Sequence, residues 1–428
     1  MFVYVQDKNS KPLMPTKRLG MVRRWLKSGR AQVVRREPFT IRLTDLAGGY
    51  AQPLSAGVDL GTAHIGVSVI SRTQEVFAGE FRLRSDIHGL LTDRRRFRRA
   101  RRGRKTRYRP PRFLNRKRKD ELAPSIRAKV EETLKVIQVV DRLLPVTYWI
   151  FEIANFDPHK IAHPEVRGEG YQKGEQFGFE NVRAYVLWRD HHECQACHGK
   201  SGEPILAVHH IRPRSDGGSD RPANLVTLCK TCHHRHHHEH PLNLKAPQTL
   251  RDATQFNVIK AYVMRATIHL QRGVTFGYIT KARRMALGLP KSHLHDAFVI
   301  AAGRAHVRTQ ISYLGVFARR QNRKLFKGAR SHLRNTIPSA KGFRRGDRVQ
   351  LADGRQGFIF GLRSAGRFDV RRLDGTVLGH QISYKVLQRM EGARTLRIER
   401  STPTSIQAKA DISGGLHDVF TQSREGCP

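Results

Sequence analysis

The sequence predicts a multidomain α/β protein in which one α/β domain is interrupted by a Cys- and His-rich insertion and followed by a small β-barrel. Patterns typical of strands and helices occur on both sides of residues 158–250, a block that holds four of the five Cys and most of the 22 His. From about residue 340, short strands alternate with Asp-Gly and Gly turns, as in small barrels. A length of 428 residues agrees with about three domains.

The charge of the chain predicts a polyanionic partner. It has 79 Lys and Arg against 36 Asp and Glu, a formal net charge of +43. Such a surplus is neutralised most simply by nucleic-acid phosphates. No apolar run reaches the length of a membrane span, and the first residues do not resemble a signal peptide. We expect a cytoplasmic protein with no membrane partner, whose few Cys bind metal rather than form disulfides.

Strand and helix patterns occur in residues 1–92 and 121–157. Residues 1–54 have the alternation of a small α+β unit, and residues 55–92 begin with a pattern of three successive strands. Within 121–157, an amphipathic helix at 125–145 precedes a strand that is apolar on both faces apart from Glu152.

Residues 93–120 are extremely basic. Between 94 and 119 there are 16 Arg or Lys among 26 residues and no acid. A disordered basic tract or a localisation signal is one interpretation. A helix ordered by phosphates is the other, and arginine's planar fork favours RNA as the ligand. The candidate RNA-binding residues are Arg94, Arg95, Arg96, Arg98, Arg99, Arg101, Arg102, Arg104, Lys105, Arg107 and Arg109.

The last part resumes the α/β pattern. Residues 251–312 alternate helix and strand signals, 313–400 contain the barrel pattern, and 401–428 are polar and predicted to be disordered.

Three acids stand on otherwise apolar elements. Asp59 and Glu152 lie in strands, and Asp296 opens a helix just after His293. Burying three acids is too costly without cations, and two Mg²⁺ ions would neutralise them and activate water against a phosphodiester. Each acid alone fits an N-cap or a surface charge. The turn after Asp59 also fits an actin-like ATPase, but the further phosphate and adenosine motifs of such an enzyme are missing from the sequence.

Two Cys-x-x-Cys pairs, Cys194/Cys197 and Cys229/Cys232, predict a structural four-thiolate Zn²⁺ site. A purely structural zinc ribbon does not account for the neighbouring His209-His210, Asn224 and the His-rich run at 233–238. Because adjacent strand residues point to opposite sides, only one of His209 and His210 can reach a given atom.

Both groups of residues resemble nuclease motifs. Three segments resemble those of a split RuvC nuclease with an RNase H-like core: GVDLGTAHIGVSVI, WIFEIANFD and HLHDAFVIAAG. That resemblance makes Asp59, Glu152 and Asp296 ligands of two Mg²⁺ ions and His293 an extra ligand or base. The insertion resembles a zinc-stapled HNH, or ββα-metal, nuclease. The resemblance to HNH nucleases implies that His210 is the general base and that His209, His233 and His237 bind one Mg²⁺. It also implies that Asn224 orients the loop that carries the base. Among His233, His234, His236 and His237 the ligand assignment stays open.

The order of these motifs resembles the IscB family of compact, transposon-encoded RNA-guided nucleases; the type II CRISPR effectors that share the order are far longer. The resemblance implies a PLMP domain at 1–54, RuvC segments at 55–92, 121–157 and 251–312, a bridge helix at 93–120, an HNH domain at 158–250, and at 313–400 an SH3-like barrel that contacts RNA and a target-adjacent DNA motif.

The IscB resemblance also implies a monomeric ribonucleoprotein of the prokaryotic nucleoid. A guide ωRNA would pair with one strand of duplex DNA, HNH would cut that strand, and RuvC would cut the other. By analogy alone, the arginines that could read the flanking DNA are Arg344, Arg345, Arg363, Arg367, Arg371 and Arg372. A protein-only endonuclease and a non-catalytic RNA-binding protein are the alternatives.

Overall fold

The computed structural model describes most of the chain: residues 1–49, 51–102, 122–154, 156–157, 160–161, 164–171, 173–214, 218–239, 242, 244, 251–318, 324–325, 334–335 and 337–401. The described residues fall into two compact units, one within 1–154 and 255–428 and the other within 155–254. The second unit is therefore an insertion in the chain of the first. The predicted RNA-binding residues Arg104, Lys105, Arg107 and Arg109 and the tail from 402 lie outside the described residues.

The first part of the chain forms two groups of strands and three helices. They are β1 Val3–Gln6, β2 Pro12–Thr16, α1 Leu19–Lys27, β3 Ala31–Arg35, β4 Thr40–Leu43, β5 Ser55–Leu60, β6 His64–Ile70, β7 Glu75–Arg82, α2 Ile87–Arg102, α3 Pro124–Leu143 and β8 Tyr148–Ile153. Helix α3 is the helix predicted at 125–145, and it buries Val136 and Val140 on its apolar face. Pro124 stands at the first helical position, where a missing N–H costs no hydrogen bond.

The inserted unit is built on a short hairpin followed by a helix. Its elements are α4 Val182–Arg189, β9 Leu206–His210, β10 Leu225–Cys229 and α5 Lys230–His238, with short 3-10 helices at Gly168–Tyr171 and Pro222–Asn224. Strands β9 and β10 pair antiparallel, with His210 opposite Leu225. Helix α5 starts directly after β10 and packs on both strands.

The last part of the chain returns to the first unit. It forms α6 Arg251–Ala266, β11 Arg272–Phe276, α7 Gly277–Ala286, α8 His293–Ile300, β12 Ser312–Phe317, the short strands β13 Lys324–Leu325 and β14 Arg334–Asn335, then β15 Arg348–Gln350, β16 Gln356–Leu362, β17 Arg367–Arg371, β18 Val377–Ser383, β19 Gln388–Glu391 and β20 Leu396–Ser401.

A seven-stranded mixed sheet with the order β11-β8-β5-β6-β7-β12-β20 forms the centre of this unit. Strands β5, β6 and β7 make an antiparallel meander, β8 pairs parallel with β5, and β11 pairs parallel with β8. Strand β12 pairs parallel with β7, and β20 pairs antiparallel with β12. Nearly every residue of β5 and β6 is buried, which explains their continuous apolar sequence.

Two glycines let α8 approach the sheet closely. A Cβ on Gly57 of β5 would overlap the carbonyl oxygen of Ala297, and a Cβ on Gly66 of β6 would overlap that of His293. Only glycine avoids both collisions. The first turn of α8 is thereby held against β6 beside the end of β5, where Asp59 lies.

Besides the short β13–β14 pair, the described part of the first unit has two smaller sheets. The N-terminal sheet has the order β2-β1-β4-β3, with a core of Val3, Val5, Val22 and Ile41. The C-terminal sheet, β18-β17-β16-β15-β19, is entirely antiparallel and buries Val349, Ile359, Phe368 and Val370. It occupies the region of the predicted SH3-like barrel, whose closure stays a prediction. Among the described helices, none combines the length and hydropathy needed to cross a membrane.

Candidate active sites and metal centres

The chain topology brings the predicted acids to one edge of the large sheet. Asp59 and Glu152 are each the fifth of six residues in the parallel neighbours β5 and β8, whose register places Val58 opposite Phe151. The carboxyl ends of parallel neighbours meet at one edge, so the two carboxylates do too. Helix α8 adds His293 and Asp296 from its first turn, which Ser292 caps by accepting from the His295 N–H.

His293 is bound directly to Asp59. Its Nδ1 lies 2.6 Å from Asp59 Oδ2. An ionised carboxylate only accepts hydrogen bonds, so Nδ1 is the donor, and Nε2 is left as the second ring nitrogen. Burial opposes a charged imidazole here, but the Asp59 hydrogen bond and the nearby carboxylates outweigh it and raise the pKa of His293 to about 9.

The other two acids, Glu152 and Asp296, lie close to other carboxylates and have few cationic neighbours. Burial, reinforced by Asp59 and Asp296, raises the pKa of Glu152 to about 7, and its buried Oε2 has no hydrogen-bond partner. Burial and Asp59 likewise raise the pKa of Asp296 to about 6, although Arg284 Nε lies 2.8 Å from Asp296 Oδ1. A crowded set of carboxylates with an orphaned oxygen suits hard divalent cations such as Mg²⁺, whose preferred ligands are oxygens.

Sequence reasoning missed a second histidine at this edge. The His64 ring is stacked parallel on His293, with 5.4 Å between ring centroids and an interplanar angle of 4°. Its Nδ1 lies 2.8 Å from Glu80 Oε1 on the neighbouring strand. The sequence carries no signal for this pair, because only the β6–β7 pairing brings Glu80 to His64.

A second site, made of imidazoles, lies in the inserted unit. His209 of β9 and His233 and His237 of α5 place one ring nitrogen each within 4.8 Å of the others. His209 is 7% exposed, and its buried Nε2 has no hydrogen-bond partner. Burial and the surrounding histidines lower the pKa of His209 to about 4, so the ring is neutral and ready to bind a cation.

The structure narrows the set of ligands that the sequence left open. The spacing of four along α5 puts His233 and His237 on one face, opposite His209. His236 also borders His209, but its Nδ1 accepts a hydrogen bond from the Leu242 N–H. His234 instead stacks on His238.

His210 has a separate environment from its neighbour His209. Its Nε2 lies 2.8 Å from Asp220 Oδ1, and Arg214 binds the same oxygen at 2.6 Å. These contacts hold the pKa of Asp220 below its usual range, the His210 hydrogen bond contributing most. The Asp220 carboxylate accepts a hydrogen bond from Nε2–H of His210. The other ring nitrogen, Nδ1, is therefore the one that can accept a proton. Asp220 was not among the predicted residues, since a loop Asp ten residues along carries no distinctive spacing.

Asn224 is 3% exposed and ties down the loop that follows His210. Its Oδ1 accepts from the Arg212 N–H, and its Nδ2 donates to the carbonyls of Arg212 and Ser219. These bonds close the loop that carries Asp220, so Asn224 orients the partner of His210.

The four paired cysteines converge on one point. Their sulfur atoms all lie within 4.8 Å of one another, all four are free thiols, and Cys194, Cys229 and Cys232 are buried. Hydrogen bonding between Cys197 and Ser201 lowers the pKa of Cys197 to about 6. Four converging sulfurs, one of them readily ionised, fit a tetrahedral Zn²⁺. This Cys₄ cluster joins the loop before β9 to the start of α5.

The arginines predicted to bind RNA or flanking DNA lie in two separate regions of the sequence. Arg94, Arg95, Arg96, Arg98 and Arg99 are exposed on α2, whereas Arg101 and Arg102 are described only as helical backbone. Among the proposed DNA-flank residues, Arg363 pairs with Asp369 at 3.2 Å, Arg372 lies 3.9 Å from Glu399, and Arg367 donates to the Gln381 carbonyl.

The sequence profile of the HNH endonuclease family matches residues 194–239. This span contains the Cys₄ cluster, the three-His group, His210 and Asn224. Residues 194–239 are an HNH endonuclease domain. The profile named RRXRR protein matches residues 3–174, and the chain has such a pattern, Arg-Arg-Ala-Arg-Arg, at 98–102.

Individual relatives also match parts of the chain. The type IV methyl-directed restriction enzyme EcoKMcrA of Escherichia coli strain K12 is 39% identical over 64 residues, which are 13% of this chain and 23% of the enzyme. Crystal structures of Streptococcus thermophilus Cas9 in complex with the AGAA and GGAA PAM each have a TM-score of 0.29. They are 12% and 13% identical and cover 42% and 43% of this chain. The chain spans about a quarter of the length of these relatives, 23% of the restriction enzyme and 26% of Cas9.

Proposed function

We propose that the protein is an RNA-guided DNA endonuclease of the IscB kind. A guide RNA pairs with one DNA strand, the HNH domain cuts that strand, and an RNase H-like (RuvC) site cuts the displaced strand. The observation that carries this proposal is the coexistence of two separate hydrolytic arrangements, Asp59–Glu152–Asp296 and His209–His233–His237, in one chain with a net charge of +43.

The topology of the large sheet supports the RNase H-like assignment. A three-stranded antiparallel meander is followed by two strands parallel to the first, in the order β11-β8-β5-β6-β7. The acids stand on the first strand, on the first parallel strand and on a later helix packed against the sheet. An insertion between the second and third segments leaves this arrangement intact.

At the acid edge, Asp59, Glu152 and Asp296 would hold the cations. Two Mg²⁺ ions bound there would neutralise charge at the scissile phosphate and make a bound water more acidic. His293 donates from Nδ1–H to Asp59, so Nε2 is the ring nitrogen that is not bound to Asp59. Arg284 restrains the Asp296 carboxylate through an ion pair.

In the HNH domain, the roles divide between the two adjacent histidines. A divalent cation held by His209, His233 and His237 would polarise the phosphate. His210 removes the proton from the attacking water through Nδ1, while its Nε2–H stays on Asp220. The Asp220 carboxylate stabilises the imidazolium that results, and Asn224 keeps the loop in place.

The excess charge supports an RNA partner. A nuclease that reads DNA by groove contacts has little use for a run of arginines in mid-chain, whereas a guide RNA needs its phosphates neutralised. Base pairing then reads the target, and the protein reads only shape and a short flanking motif. The similarity to a restriction enzyme favours the second candidate, a protein-only endonuclease.

Purification from a host that expresses the protein together with its flanking transcript tests RNA guidance. We expect a 260/280 absorbance ratio typical of a ribonucleoprotein, and cleavage of matching duplex DNA that disappears after RNase treatment. Adding back the sequenced, resynthesised RNA should restore cleavage. If RNA-free protein cuts duplex DNA as fast as the complex does, the protein-only alternative is correct.

A further inference from the structure

A cavity of about 250 Å³ lies within the first unit, among the β3–β4 connection, the C-terminal sheet and β20. Its charged walls are Glu37, Arg348, Arg355, Arg372, Glu399 and Arg400. Phe358 and Leu378 give it an apolar side. A second cavity of about 10 Å³ shares Glu37, Arg348 and Phe358 with the first and brings three further arginines, Arg35, Arg394 and Arg397, to its border. We call the two together the arginine cavity.

Positive charge exceeds negative charge in the arginine cavity. Seven guanidiniums line it against three carboxylates, those of Glu37, Glu391 and Glu399. Each carboxylate is already matched to an arginine: Glu37 lies 2.9 Å from Arg400, Glu399 lies 3.9 Å from Arg372, and Glu391 lies 2.8 Å from Arg394. The surplus cations therefore have no counterion of their own among the residues that line the cavity.

Some of these guanidiniums are deeply buried. Arg348 is 5% exposed, its Nε has no hydrogen-bond partner, and the nearest carboxylate oxygen, on Glu391, is 3.8 Å away. Arg397 Nε is likewise buried without a partner. Burial lowers the pKa of Arg35 and of Arg397 to about 10, so both remain charged at neutral pH. Buried cations that outnumber the nearby carboxylates are costly, and a ligand that supplies negative charge reduces the cost.

We propose that the arginine cavity binds one unstacked ribonucleotide of the RNA partner together with its phosphate. The guanidiniums suit the planar, bidentate recognition of a phosphate. Phe358 and Leu378 offer an apolar wall for the base, and the Arg348 guanidinium already lies 5.0 Å from the centre of the Phe358 ring. Glu37 and Glu399 are acceptors that a DNA backbone cannot use, whereas a ribose 2′-hydroxyl can donate to them. This inference rests on the proposed RNA-guided function and names a site for that RNA.

Two accessible arginines allow a test that does not threaten the fold. Arg355 and Arg372 have side chains 56% and 34% exposed. In the full-length protein, Arg355→Gln with Arg372→Gln should weaken binding of the copurifying RNA, resynthesised with a label, by about tenfold or more near physiological salt. The slope of log affinity against log salt should fall by about 0.7 per lost phosphate contact. Chemical probing of the RNA should show one or two nucleotides that wild-type protein protects and the variant leaves reactive.

A matched control separates the cavity from charge in general. Arg30→Gln removes an arginine that is 62% exposed and paired with Asp45, much as Arg355 is paired with Asp353. It should leave the affinity and the probing pattern unchanged. Arg348→Met gives a second measurement: RNA should raise the Tm of wild-type protein by more than it raises that of this variant.

The outcomes distinguish this inference from the function on which it rests. If wild-type protein binds no RNA, the proposed function fails. If wild-type protein forms an active ribonucleoprotein and the double variant keeps its affinity, salt slope and protected nucleotides, the cavity proposal alone is overturned. A double variant that binds RNA normally but loses affinity for a duplex DNA carrying the target would assign the cavity to DNA and overturn the ribonucleotide.

Discussion

The imidazole of His293 donates a hydrogen bond from Nδ1 to the Asp59 carboxylate, across 2.6 Å and a sequence separation of 234 residues. The inserted unit lies within that separation, yet it interrupts neither β5 nor α8. The acid edge and the HNH domain are therefore built from separate segments of one chain, and we expect that each can be inactivated without the other.

This independence predicts two complementary nickases. Asp59→Ala removes the carboxylate that pairs with His293, and His210→Ala removes the proposed base of the HNH domain. With a guide RNA and duplex DNA labelled on each strand, Asp59→Ala should cut only the RNA-paired strand and His210→Ala only the displaced strand. Each missing cut should fall by at least about a thousandfold. Loss of both cuts from either substitution would contradict one active site per strand.

The Asp220–His210 pair predicts a positioning effect on the RNA-paired strand. Asp220→Ala frees the His210 ring and removes the carboxylate that favours its imidazolium, so cleavage of this strand should fall about 10- to 100-fold. The displaced strand is an internal control and should be cut at the wild-type rate. Asp45→Ala, which also breaks an exposed Asp–Arg pair, should change neither strand. An Asp220→Asn variant with nearly normal activity would show that orientation, rather than charge, is what Asp220 provides.

Many of the site residues could be predicted from sequence. The others could not, because their partners are set by the fold rather than by a local pattern. Asp59 and Glu152 are visible because an acid in an apolar strand is rare, and the Cys₄ group is visible because its spacing is local. His64, Glu80, Asp220 and Arg284 are not, since each acquires its partner only through strand pairing or loop closure. The choice of His237 over His236 depends on which face of α5 meets β9, a question that packing decides.

The chemistry of the two sets of ligands predicts different metal preferences. Oxygen ligands at the acid edge suit Mg²⁺, whereas three imidazole nitrogens suit a softer ion such as Co²⁺ or Ni²⁺. Replacing Mg²⁺ by Co²⁺ should therefore raise cleavage of the RNA-paired strand relative to the displaced strand by about threefold or more. Both rates come from one doubly labelled substrate, so protein concentration cancels. An unchanged ratio would mean that the imidazoles do not set the preference.

The Cys₄ cluster predicts a local stability effect. Cys229 is buried and also caps the start of α5, because its sulfur accepts from the Cys232 N–H. Cys229→Ser should reduce bound zinc from about one ion per chain to near none, and should expose residues 155–254 to limited proteolysis. The displaced strand should still be cut. Cys427→Ser, at the cysteine outside both Cys-x-x-Cys pairs, serves as the control and should keep its zinc.

Glu132 predicts how stability depends on pH. It is 8% exposed on α3, and burial raises its pKa to about 7 even though its Oε2 accepts from the Arg84 N–H. The folded state therefore binds this proton more tightly than the unfolded chain, so the free energy of unfolding falls as pH rises from about 4.5 to about 7 and is then level. Glu132→Gln cannot titrate and keeps an acceptor for Arg84. At pH 8 it should raise the free energy of unfolding of the RNA-free protein by about 1–2 kcal/mol after allowance for solvent screening, and at pH 4.5 it should change little. Glu131→Gln, on the exposed side of the same helix, supplies the matched control in thermal melts at both pH values. A loss of stability of equal size at both pH values would show that Glu132 is held for its hydrogen bond and that its charge costs the fold nothing.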